Sequence, residues 1–229
     1  MSSSQMRRVS DGVDSSLPIV VFTDSIVVDE NLETLSDSYQ RFAIHYPHHT
    51  ELRRLLAANT APGNTMILNQ PLVRLLQDVE QTSAIVMHDW FAMLLASAFG
   101  KIVYVPTPAL LYRQHRNNVI GAVRRTLISK IANRLGPEND SEKDARLKVE
   151  NEIAAQAAFF ANTYASKLTK KQHRQASEYA KAITADRFPL AVMSLVKSGC
   201  WRPGPTQKVG QVIHRYEACR SANASQRES

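Results

Sequence analysis

A chain of 229 residues that is 44% hydrophobic is long enough to bury one sizeable core, or a compact domain with an appendage, and is not a disordered tail. Its 28 Lys and Arg against 21 Asp and Glu, a formal charge of +7, favour anionic partners such as phosphates, nucleic acid or acidic lipid without choosing among them. No uncharged apolar run reaches roughly 18 residues, since His88, Asp89 and Lys101 interrupt the one candidate; with only Cys200 and Cys219 and no apolar leader in MSSSQMRRVSDGVDSS, the expectation is a reducing, cytoplasmic setting.

Residues 1–17 are polar and read as a mobile N-terminus. PIVVF at 18–22 has the β-branched character of a buried strand and is expected to end at Thr23-Asp24. IVV at 26–28 reads as a second short strand or an extended turn. Residues 51–58 look helical, NTMIL at 64–68 looks extended after Pro62-Gly63, and 70–79 restarts a helix with Pro71 in its first turn. Apolar spacing over 88–99 predicts another helix, with Gly100 as a left-handed cap. KIVYV at 101–105 is then a buried strand closed by two prolines. Strands separated by helices predict an α/β layer for this part of the chain.

Past Gly121 the composition shifts. Residues 123–135 form a basic amphipathic pattern, with Val123, Leu127, Ile131 and Leu135 on one face and Arg124, Arg125, Lys130 and Arg134 elsewhere. Ser141 to Asp144 matches a capping box, and Ile153, Ala157, Phe160, Tyr164 and Leu168 recur at helical spacing. Thr169 to Gln172 matches a second capping box, ahead of a helix to about residue 184. FPLAVMSLVKSGCWRPG reads as the close of the ordered part. The expected division is a disordered 1–17, an α/β part at 18–122, a helical extension at 123–218 and a disordered tail at 219–229.

The chemistry-bearing residues cluster in MHDWFAMLLASAFGKIVYVPTPALLYRQHRNNVIGA. There Asp89 stands at the mouth of a helix, and Tyr112, Arg113 and His115 follow a strand. Asp is a common helix cap, Trp most often packs in a core, and an Arg and a His on a loop are ordinarily solvated. Asn117 and Asn118 shape a loop, while Gly63 and Asn64 suit a plain turn. Asp24 and Asp29 follow a buried strand and read as structural. The three histidines of HYPHH at 45–49 lack the further ligands a zinc site recruits.

Taken in order, FTDSIVVDENL, PGNTMILNQPL and the HDW, FGK and Tyr-Arg-x-His-x-x-Asn elements of the last block resemble the second half of a family 2 glycosyltransferase, in particular its rhamnosyltransferase-like branch. The likeness covers residues 18–122 and is looser in the helical part. It implies a partial GT-A-like (Rossmann-like) α/β layer followed by a helical C-terminal extension. It also implies transfer of a sugar, rhamnose among the candidates, from a nucleotide diphosphate donor to a glycan or lipid-linked acceptor, with inversion, in bacterial surface polysaccharide synthesis such as O-antigen or capsule.

On that resemblance Asp89 is the general base that takes the acceptor proton. The helix dipole favours a carboxylate there, an intrinsically weak base, so positioning must supply much of the rate. Gly63, Asn64, His88 and Trp90 would line the sugar and acceptor pocket; Arg113 would offer a planar fork to the diphosphate; His115 would contact the diphosphate or a divalent metal, Mg²⁺ or Mn²⁺. The Pro-Gly-Asn at 62–64 departs from the family's usual Thr-Gly-Cys. The family's nucleotide-binding half, with its acidic metal motif, has no counterpart in the sequence, so the strands at 18–22 and 101–105 are expected to need partners from a missing N-terminal half or a partner chain. The basic helix at 123–135 suits peripheral membrane association. No motif points to nucleic acid. The alternative function is a truncated, noncatalytic remnant or subunit that binds a glycan or a partner chain.

Overall fold

The computed structural model of the chain describes residues 14–79, 84–114 and 140–225. His115, Asn117, Asn118 and the basic pattern at 123–135 lie outside the described residues. Among those described, the protein is mixed α/β, with a four-stranded mixed sheet and eight helices. The first part runs β1 (Ile19–Val28), β2 (Thr34–Ser36), α1 (Tyr39–Phe42), α2 (Leu52–Leu55), a 3₁₀ turn (Gly63–Thr65), β3 (Met66–Leu68), α3 (Gln70–Gln77), α4 (His88–Phe99) and β4 (Lys101–Arg113). Four helices follow: α5 (Asp140–Thr163), α6 (Lys170–Thr184), α7 (Phe188–Ser198) and α8 (Pro205–Ser225).

β1 is the centre of the sheet. β4 lies parallel along its whole length, from Ile19 opposite Lys101 to Val28 opposite Arg113. A strand has two edges, so β3 and β2 share the other, antiparallel at Val20–Phe22 and at Val27–Val28. This corrects two expectations. The sequence breaks the strand at Thr23-Asp24, whereas the structure carries it through to Val28 because the polar side chain there is satisfied. Asp24, 4% exposed, accepts hydrogen bonds from the Ser25 and Gln40 amides at 2.8 and 3.2 Å, from Ser38 Oγ at 2.5 Å and from the Tyr104 hydroxyl at 3.3 Å. The strands at 18–22 and 101–105 also find a partner within the described residues, since they pair with each other, while the outer edge of β4 stays open there.

β4 likewise runs past the two prolines that were expected to close it. No described strand pairs with its outer edge, where a missing proline N–H costs no ladder bond. Its 13 residues face the 10 of β1, and two register shifts around Pro108 take up the excess. Prolines and bulges on an edge also deter pairing with other chains.

Gly100 is not a left-handed cap. Its φ is −155°, not positive; what demands glycine is the Pro18 carbonyl oxygen, only 1.8 Å from where a Cβ would stand. The Lys101 amide bonds that same oxygen at 2.9 Å, so the chain turns from α4 into β4 pressed against the start of β1. The left-handed cap occurs instead at Gly199, which ends α7 with φ 66°.

The later helices share the core of the sheet. Phe91 and Phe99 of α4 meet Phe160 of α5 at ring-centroid distances of 6.1 and 6.4 Å, and Val20, Leu55, Leu95, Ile153, Tyr179 and Leu195 belong to one buried cluster. Thr169 and Gln172 form the reciprocal capping box expected at α6. The box expected at Ser141 falls inside α5, which is already helical at Asp140. The ordered part does not close with the FPLAVMSLVKSGCWRPG segment, because α8 follows and runs to Ser225. Its apolar Val209, Ile213 and Tyr216 are exposed, so hydrophobic pattern alone does not reveal how it docks. Charge holds it: Arg215 pairs with Glu150 of α5 and bonds the Ile183 carbonyl at 2.5 Å, while Glu217 bonds Arg146 at 2.9 Å. Burial pushes the Arg215 guanidinium down to about 10, a cost that makes its carboxylate partner matter.

Two stability predictions follow from these contacts. Gly100→Ala forces the chain away from the Pro18 carbonyl and should cost about 1–3 kcal/mol in chemical denaturation, the range for overpacking. Glu150→Ala leaves buried Arg215 without its carboxylate and should cost about 3–5 kcal/mol, whereas Arg41→Ala, at the exposed pair with Asp37, should change stability by less than about 0.5 kcal/mol.

Candidate active site

Asp89 stands in the first turn of α4. The N-cap is Met87, which makes no side-chain cap bond, so Asp89 does not serve as the cap. Its carboxylate reaches across the molecule: Oδ2 accepts the Gly63 amide at 2.8 Å, and Oδ1 accepts the amide of Trp90 at 2.6 Å. A Cβ on Gly63 would lie 3.1 Å from Asp89 Cβ and 3.2 Å from Oδ2. Glycine at this position is what lets the turn and the carboxylate meet. The turn is held by Thr65, whose amide and hydroxyl both donate to the Pro62 carbonyl, at 3.0 and 2.7 Å, and by β3, which ties the next residues to β1. Asn64 and His88 flank the pair and are exposed.

Four of the residues picked out from the sequence, Gly63, Asn64, His88 and Asp89, therefore sit on two segments that one hydrogen bond joins. Trp90 does not join them as a wall. It is 6% exposed, and its indole N–H donates to the Leu55 carbonyl at 2.6 Å. Its place is the core, where it fixes the rotation of α4 and hence the direction of its neighbour Asp89. Arg113 is the last residue of β4, opposite Val28, and not part of a loop. It is exposed, and Asp89 takes its hydrogen bonds from Gly63 and Trp90. Tyr112, also in β4, packs on Tyr39 at 4.8 Å between centroids, and burial raises its phenol.

One positioning contact escaped the sequence reading. The Val86 amide, just ahead of α4, donates to Oε1 of Gln156 at 3.0 Å. Gln156 is buried in α5, so the helical part of the chain anchors the approach to Asp89. The signal was present: Gln156 lies three residues after Ile153 and four before Phe160, on the face that buries both. A polar side chain there needs a partner.

The described residues do not assemble the divalent-metal site that the resemblance implies. Among them no three His, Cys, Asp or Glu side chains group to hold an ion, and the carboxylate of Asp24 is committed to four donors. The HYPHH histidines act as packing rings: His45 meets Tyr39 edge-on at 5.6 Å, His48 meets Tyr104 at 5.4 Å, and His49 stacks on Tyr46 at 5.1 Å. Cys200 and Cys219 are buried, and burial pushes the Cys200 thiol up to about 12. No helix among the described residues is long and apolar enough to cross a membrane.

No protein-family model, curated protein or solved structure matches this chain.

The Asp89–Gly63 bond is directly measurable. Asp89→Ala removes the acceptor and should speed hydrogen exchange of the Gly63 amide about 5- to 30-fold, the value of a lost bond of about 1–2 kcal/mol. The Trp90 indole, bonded to Leu55, should keep its protection in the same spectra.

Proposed function

We propose that this protein is a glycosyltransferase of family 2 type, on a GT-A-like layer, and that the described fold supplies the acceptor side of the site. What carries the reading is the meeting of the Pro-Gly-Asn turn and the His-Asp-Trp helix start, 26 residues apart, through the Gly63–Asp89 bond. These are two of the blocks on which the family resemblance rests. Asp89 is half-buried yet reachable, and each of its oxygens spends one lone pair on a backbone amide and keeps another.

On this reading a free lone pair of Asp89 takes the proton of the acceptor hydroxyl as that oxygen bonds to the anomeric carbon. The bond from that carbon to the diphosphate oxygen breaks on the opposite face, which inverts the centre. The two backbone amides hold the carboxylate in one direction, the kind of positioning a weak base needs. Exposed Asn64 and His88 stand where an acceptor sugar can use their polar groups. The acceptor is a glycan or a lipid-linked glycan of a bacterial surface polysaccharide, and rhamnose is the sugar that the closer branch suggests. Arg113 and His115 are assigned to the diphosphate. The divalent metal would have to be held by residues outside those described, and no step above runs through it.

The alternative reading is a noncatalytic subunit that keeps the acceptor side and binds a glycan or a partner chain. The two separate in one set of measurements. Calorimetric titration with dTDP and UDP, with Mn²⁺ and then with EDTA, should show metal-dependent binding for the enzyme, and none by the folded chain for the subunit. In a transfer assay Asp89→Asn should lower turnover by about 10²- to 10⁴-fold with an unchanged circular dichroism spectrum. Unchanged turnover would remove Asp89 from its role and the enzyme reading with it.

A further inference from the structure

At the other end of α4 from Asp89 lies an open cleft of about 890 Å³. Its walls come from the segment leading into α2, the α4–β4 turn, the first turns of α6 and the end of α7. Five cations line it, Arg53, Lys101, Lys171, Arg174 and Lys197, against the single carboxylate of Glu51. Glu51 pairs with Arg53 at 3.7 Å, and Lys197 also feels the Glu178 carboxylate. Lys101, Lys171 and Arg174 make no salt bridge among the described residues. Like charges brought together repel, and among the described residues no carboxylate pairs with these three; only the partial negative charge at the C-terminal ends of α4 and α7 opposes them.

The walls are tied to each other. Ser97 Oγ donates to the Thr50 carbonyl at 2.7 Å, joining α4 to the segment before α2, and Gln172 Nε2 donates to the Ala98 carbonyl at 3.0 Å, joining α6 to α4. The cleft is therefore preformed. Gln175 lines it while being only 8% exposed, and its side-chain amide makes no hydrogen bond among the described residues. The amide is reached from the open cleft, where a ligand can take up its donor and acceptor. The positive end of the α6 dipole adds to the same field.

We propose that this cleft is a binding site for a phosphate-bearing anion, and in particular for a diphosphate. Five cations against one carboxylate leave an excess of four positive charges, whereas a single phosphate group carries about −1.5 to −2 and two linked groups approach balance. Arg53 and Arg174 offer planar forks to phosphate oxygens, the three lysines offer compact charges, and Gln175 fixes the inner end. The volume falls within the range of about 300–1,000 Å³ typical of small-ligand sites. Asp89 takes no part, because the α4 axis separates it from the cleft by roughly 15 Å at 1.5 Å per residue.

The test is titration of the full chain with inorganic pyrophosphate at about 0.15 M ionic strength, beside sedimentation with phosphatidylcholine vesicles with and without phosphatidylglycerol. Saturable pyrophosphate binding is expected. The double variant Lys171→Ala/Arg174→Ala should weaken it at least about tenfold, and Gln175→Leu should also weaken it. Both cations of the double variant are exposed, so its melting curve should match the parent's. Arg220→Ala, outside the cleft, should bind as the parent does, and since the double variant leaves Arg113 in place, its loss of binding separates this site from the diphosphate position of the transferase reading. Binding to phosphatidylglycerol vesicles that pyrophosphate displaces and the double variant loses would make a lipid headgroup the source of the phosphate. Pyrophosphate binding without vesicle binding would make it a soluble ligand. The proposal is overturned by absence of binding in both arms, or by binding that the double variant retains.

Discussion

The burial of α4 on every side sets the positions of the elements around it. Seven consecutive residues, Trp90 to Ala96, are buried, so this helix has no solvent stripe along its centre and must be enclosed. Each of its faces meets a different element: Trp90 bonds the last residue of α2, Phe91 and Phe99 meet the aromatic side chains of α5, and the C-terminal end turns directly into β4. Burying each Leu, Phe or Met in such a position contributes about 1.5–3 kcal/mol. The two ends of the helix, the only parts that reach solvent, are thereby placed by packing rather than by loops.

The sheet shows how a polar segment can sit inside a central strand. Thr23, Asp24 and Ser25 are all buried in the middle of β1, where an unpartnered carboxylate would be costly. The chain supplies four donors to Asp24, from its own neighbour, from the Ser38–Gln40 segment and from Tyr104 across the parallel pair. Burial and the nearby Asp24 carboxylate together push the Tyr104 phenol up to about 12, which keeps it protonated and able to donate. The polar patch thus joins β1, β4 and α1. It acts as a structural device although its composition resembles the end of a strand followed by a catalytic carboxylate.

Local features were legible where the cause was local. The α6 capping box needs only Thr169 and Gln172, three residues apart, and the helices over 70–77 and 88–99 follow from Pro71 and the run of apolar residues. Gly100 shows the limit: its place after a helix suggested a left-handed cap, but the oxygen that demands glycine belongs to Pro18, more than eighty residues earlier. The same holds for α8, whose docking depends on Glu150, and for β4, whose prolines are tolerated only because it lies at an edge among the described strands. In the site, Gly63, Asn64, His88 and Asp89 could be named from their blocks. That Trp90 turns inward to Leu55 and Arg113 belongs to a strand rests on contacts that spacing does not reveal.

The placement of charge along α4 has a further physical consequence. A carboxylate stands at the start of the helix and a cluster of cations surrounds its end, which complements the helix dipole at both termini. At physiological ionic strength exposed charges are screened over about 8 Å, less than the length of the helix between Asp89 and the cleft. Anion binding at one end would therefore leave the electrostatics of the carboxylate at the other end almost unchanged. Coupling between the two ends would have to pass through movement of α4 itself, and a helix enclosed by a close-packed core resists small continuous shifts. The arrangement favours two sites that share a rigid support, with Gly63 setting the direction of Asp89 at one end and the Ser97 and Gln172 hydrogen bonds holding the cleft at the other.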